Sequence, residues 1–199
     1  MKKLLLPVSF GFLLMQASCI TTERESATSK NADRVFTPTP EGQRARLTPT
    51  SVLNAVRTTH EFSDPKSKDQ FVLLLQGTKI INSQARFLII NSQGDTLRNE
   101  VMPATALLDE RELEAPQAAT VRDKEIAILK SMNGFFQADK FTSPAVPRSM
   151  QTATVADQEA WQAVRDDNRS VGFDYTTSDG RERRIAYARK LNKAVVVAE

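Results

Sequence analysis

Gln70-Phe71-Val72-Leu73-Leu74-Leu75-Gln76 and, eleven residues on, Phe87-Leu88-Ile89-Ile90 decide the fold class of this 199-residue chain. Each is a continuous apolar run of strand length, rich in branched and aromatic side chains. The first is bounded by Asp64-Pro65 and Gly77, and Asn82-Ser83-Gln84 precedes the second. Asn91-Ser92-Gln93-Gly94-Asp95 then carries turn residues, and Thr96 to Met102 reads as a returning strand that ends at Pro103. Because Phe87 to Ile90 is apolar at every position, it predicts a central strand covered on both sides.

Working outward, Thr48-Pro49 has the chemistry of a helix start, and Val52, Leu53 and Val56 share a helical face. Thr58, Thr59 and Phe62 fit a strand equally well. Downstream, Val121, Ile128, Leu129, Met132, Phe135 and Phe136 recur at helical spacing, which predicts a helix over 121–136 with its stripe on the sheet. A second helix is predicted from about Val155 to Asp167, with Thr154 and Asp157 at capping-box spacing. Ala160, Trp161 and Val164 share one face of it, so Trp161 reads as a core plug. Val171, Phe173 and Tyr175 alternate with Gly172, Asp174 and Thr176, the period of a half-buried strand. Asp179-Gly180 marks a hairpin, Ile185 and Tyr187 continue the inward face, Leu191-Asn192-Lys193 turns again, and Ala194 to Ala198 closes the sheet. The class is α+β: one antiparallel sheet of about five to six strands with two main packing helices, in one domain over 49–199.

The residues argue against several chemistries. The single histidine, His60, is read as a surface residue beside a loop; it has no second His for a metalloprotease pair and no Gly-x-Ser-x-Gly elbow to serve. No phosphate loop or dinucleotide fingerprint is present, and no cofactor or metal site is expected. Asp109-Glu110, Glu112 and Glu114 form one acidic stretch and Asp166-Asp167 another; paired carboxylates are what a glycoside hydrolase needs. Arg181, Arg183, Arg184, Arg189, Lys190 and Lys193 crowd the last hairpin. They are candidates for binding an acidic partner or an anionic envelope polymer, although cations there also guard strand edges against pairing.

The N-terminus bears on location. Lys2 and Lys3 precede an apolar run from Leu4 to Met15, then Gln16-Ala17-Ser18-Cys19 with the chain's only cysteine. A basic start, a short apolar stretch and small residues define a secretory signal, and about 20 apolar residues are needed to span a bilayer. The segment resembles the lipobox of bacterial lipoproteins, with Gln16 where an apolar residue is usual. That resemblance implies that residues 1–18 are removed and that Cys19 is lipidated. Residues 19–48, polar and holding Thr37-Pro38-Thr39-Pro40, read as a flexible linker. The formal charge of +3 falls to +1 once Lys2 and Lys3 leave, so the basic pI of about 9.1 lends little support to nucleic-acid binding.

Gly94-Asp95, Met102-Pro103-Ala104, Gly134-Phe135-Phe136, Val171-Gly172-Phe173-Asp174-Tyr175 and Lys193-Ala194-Val195-Val196 together resemble uncharacterised Bacteroidota-type lipoproteins. The resemblance implies an address and a fold: cell envelope, outer membrane, facing the periplasm or the cell surface. Asp95-Thr96-Leu97 is similar to the O-glycosylation site of exported proteins in that group, which makes Thr96 a candidate acceptor. The expected function is a non-enzymatic binding or structural module, held to the membrane by lipid on Cys19, with an envelope protein or glycan as partner. The alternative is a carboxylate-dependent hydrolase of envelope glycan.

Overall fold

The computed structural model describes residues 47–150 and 157–199. The signal segment, Cys19, nearly all of the linker and Thr154 lie outside the described residues.

The first four strands are β1 (Val52–His60), β2 (Asp69–Gln76), β3 (Gln84–Ile90) and β4 (Thr96–Pro103), paired antiparallel in chain order. The helical alternative for residues after Thr48 is overturned. Pro49 sits inside a tight turn, closed by the Ser51 amide donating to the Thr48 carbonyl at 3.0 Å. The β-branched residues beyond it pair with β2 instead. Gly94, at φ 94°, supplies the left-handed backbone of the β3–β4 turn.

A second sheet follows, with the order β5 (Phe141–Thr142), β6 (Gly172–Thr176), β7 (Glu182–Ala188) and β8 (Lys193–Ala198). The fold is therefore α+β as expected, but its eight strands form two four-stranded sheets rather than one sheet of five or six. The physical cause is the connection between β4 and β5, which carries helix α1 (Val121–Gly134). Its Ile128, Leu129 and Met132 fill the space between the sheets together with Phe71, Leu73, Phe87, Phe173 and Tyr175. Aromatic rings from both sheets touch directly, with Phe87 5.4 Å from Phe173 and 5.3 Å from Tyr175.

Helix α2 (Gln158–Arg165) packs on the other face of the second sheet. Trp161 is 1% exposed among Ala186, Ala188, Val195 and Val197, and its indole Nε1–H donates to the Val197 carbonyl at 3.2 Å. It is the core plug that its spacing predicted. The helix is shorter than expected because Asp157 caps it, accepting from the Ala160 amide at 2.9 Å.

Two readings of coverage change places. The β6–β8 meander, expected to be half-buried, is covered on both faces, because Gly172, Ala186 and Ala188 are small enough for neighbours to close in. The Phe87–Ile90 strand, expected to be covered on both, buries Phe87 and Ile89 completely but leaves Leu88 and Ile90 half-exposed.

Candidate functional site

An open groove of about 670 Å³ lies where the turns after β4, the C-terminal half of α1 and the β6–β7 hairpin meet. Its floor is apolar, from Leu107, Phe135 and Tyr175, and its walls are charged. Asp109, Glu110 and Glu112 come from a 3-10 turn whose own cap is Asp109, accepting from the Arg111 amide at 3.0 Å. Lys130 comes from α1, Asp139 and Lys140 from the turn after it, Asp174 from β6 and Glu182 from β7.

Three of the six carboxylates that line the groove are engaged. Asp109 takes Arg111 Nη2 at 2.8 Å, and that guanidinium holds its carboxyl below the ordinary carboxylate range. Glu112 lies 3.8 Å from Lys130 Nζ. Asp174 receives Arg184 in a two-point pair at 2.6 and 2.7 Å. A general acid requires the opposite displacement, a carboxyl raised toward neutrality. Of the two acidic stretches, only the first reaches the groove. Glu114 is exposed outside it, and Asp166-Asp167 end α2 elsewhere, with Asp167 Oδ2 receiving Arg189 Nη1 at 2.5 Å.

The basic residues of the last hairpin are not gathered into one patch. Arg181 pairs with Asp179 at 2.5 Å, Arg183 with Glu199 and Glu100, Arg184 with Asp174, Arg189 with Asp167, and Lys193 with Asp157 at 2.6 Å. Lys190 is exposed. Arg189 also donates to the carbonyls of Ser63, at 3.1 Å, and Arg169, at 3.2 Å, and so ties three loops together. Thr96 is exposed at the first position of β4, directly after a turn locked by Asn91 Oδ1 on the amides of Gln93 and Asp95.

His60 is not a free surface residue. It is half-buried at the end of β1 and stacks on Phe141, centroids 3.4 Å apart and planes 16° from parallel. Burial first, and then the charge of Lys68, lowers its pKa from the ordinary 6.5.

One cluster went unread in the sequence. Glu100, on the inward face of β4, receives the Tyr175 hydroxyl at 2.7 Å, the Arg98 guanidinium, and Arg183 Nη1 at 3.4 Å. It joins the two sheets just behind the groove floor. Burial and the Glu100 hydrogen bond both raise the Tyr175 pKa. Burial opposes the charge on Arg98, but the hydrogen bond and charge of Glu100 outweigh it and raise its pKa. The available signal was Arg98-x-Glu100 at period two on one strand face.

Among the described residues no three His, Cys, Asp or Glu side chains come together as a metal set, and no helix is long and apolar enough to cross a membrane. No family model, no curated protein and no solved structure matches the chain.

Proposed function

We propose that this chain is a lipid-anchored protein of the cell envelope, of the Bacteroidota lipoprotein type, and that it acts as a binding module rather than an enzyme. The observation that carries the binding reading is the groove: open, apolar at its floor, and walled by charged side chains, of which Asp109, Glu112 and Asp174 are held in ion pairs. Such walls present fixed donors and acceptors to the hydroxyl and amide groups of an envelope glycan or of a protein segment. The address rests on the signal-like residues 1–18 and on Cys19. Exposure of Thr96 is what an O-glycan at that residue requires.

Two measurements test the reading. Cys19→Ala is expected to shift the protein from the membrane to the soluble fraction of fractionated cells; unchanged retention removes the anchor. Soluble fragments of envelope glycan are expected to bind at Asp109–Glu112 and Lys130–Lys140, seen as localised NMR shifts, without new reducing ends. Release of reducing ends that disappears in Glu110→Gln or Asp139→Asn would replace the module with the hydrolase.

A further inference from the structure

The outward face of the β1–β4 sheet is a surface that the groove does not use. Strand register places Val52, Val72, Leu74, Leu88, Ile90 and Val101 on it; Val72 is buried between its neighbours, Leu74, Leu88 and Ile90 are half-buried, and Val52 and Val101 are open. Their inward neighbours Val56, Leu73, Phe87 and Ile89 fill the core between the sheets. Val52 is 53% exposed and Val101 48%, and only one other large apolar side chain among the described residues, Val121, is comparably open. The same face carries Arg57 and Arg86 and no aspartate or glutamate at any outward position of the four strands. Among the described residues neither guanidinium has a partner. In contrast, the cations at the opposite end of the molecule are nearly all paired.

We infer that this face rests on an anionic phospholipid surface. Charge complementarity is the first reason. An aliphatic centre with two arginines, whose stems lie along apolar surface while their heads reach out, matches the boundary between acyl chains and anionic headgroups. The second reason is where the remaining chain lies. β1 is the edge strand of this sheet, it begins after the Thr48–Ser51 turn, and Cys19 is 33 residues upstream of its first residue, Val52. A chain tethered at Cys19 therefore enters the domain at the edge of this sheet. Area argues against a second copy as occupant. Four strands about 4.8 Å apart and about 26 Å long present roughly 500 Å², short of the roughly 800 Å² per partner of a stable interface. The inference extends the anchored reading but stands on the sheet face alone, so its test is made without the lipid.

In the full chain with Cys19→Ala, a single cysteine is introduced at Val101→Cys on the face or at Glu110→Cys outside it. Each is labelled with a fluorophore that brightens in an apolar medium. Mixed phosphatidylcholine–phosphatidylglycerol vesicles are expected to raise emission at position 101 several-fold and leave position 110 unchanged. Pure phosphatidylcholine is expected to do neither. Adding Arg57→Glu with Arg86→Glu is expected to raise the lipid concentration for half-change by more than about 20-fold, at roughly fivefold per arginine. The milder pair Arg57→Gln with Arg86→Gln gives a smaller shift in the same direction, with circular dichroism checking that each variant is folded. No change at 101, an equal change at 110, or an equal response to neutral vesicles overturns the inference. So does a rise at 101 that depends on protein concentration without lipid, which would seat a second copy there. Because no lipid anchor is present, these outcomes are independent of the Cys19 fractionation result.

Discussion

His60 shows how a single residue's environment sets a pH dependence. Its ring lies flat against Phe141, 3.4 Å away, with Phe71 at its edge. Only the neutral imidazole fits there at no electrostatic cost, because burial and Lys68 both disfavour the cation. The folded pKa is below the unfolded one, so on acidification the unfolded chain takes up its proton first. The stabilisation is complete above the unfolded value of 6.5 and is lost as pH falls through 6.5 toward the folded value. We expect the melting temperature to fall more steeply between about pH 7 and pH 5 in the native chain than in His60→Gln. Parallel curves for the two would show that the stacked ring is indifferent to its charge.

At the scale of elements, the termini are set by caps. Helix α1 starts where Thr120 Oγ1 accepts from the Asp123 amide at 3.3 Å, while Asp123 Oδ2 accepts from the Thr120 amide at 2.9 Å. This capping box satisfies two amides that the helix cannot. Because α1 carries the stripe that separates the sheets, its start is felt by the whole core. Thr120→Ala is expected to lower stability by about 1 kcal/mol in urea unfolding, and Thr120→Ser to restore most of it. Equal stability of all three proteins would mean that packing alone fixes the helix start. The helix period of 121–136 was legible, and so was the hairpin chemistry of Asn91–Asp95 and Asp179-Gly180. The strand β1 was not, because Val52, Leu53 and Val56 satisfy both periods until pairing with β2 chooses between them.

At the scale of the molecule, a polar knot joins the two sheets. Glu100 on β4 gathers Tyr175, Arg98 and Arg183, residues up to 83 positions away. All lie mostly out of water, so a missing partner is not replaced by solvent at no cost. Tyr175→Phe is expected to cost about 1 kcal/mol and Glu100→Ala about 2–3 kcal/mol, as the two guanidiniums lose their shared acceptor. The double variant is expected to fall short of the sum by more than about 0.5 kcal/mol in denaturant unfolding. Strict additivity would show that the sheets are held by their aromatic contacts alone. The groove has the same origin. Asp109, Lys130 and Asp174 stand far apart in the chain, and only the stacking of α1 between the sheets turns them toward one space.

The sequence by itself determined most of the local structure: the strands of two hairpins, both helices, the turn residues between them, and the burial of Trp161. These follow from side-chain period, caps and turn chemistry, which act over a few residues. Only the tertiary structure decided that the strands divide into two sheets, that the meander is enclosed on both faces while the Phe87–Ile90 strand shows one to solvent, and that acidic and basic residues cancel in pairs. An apolar residue declares that it will be buried if it can be. What it is buried against depends on long-range packing, on small residues such as Gly172 and Ala186 that admit a neighbour, and on a helix that can fill the gap.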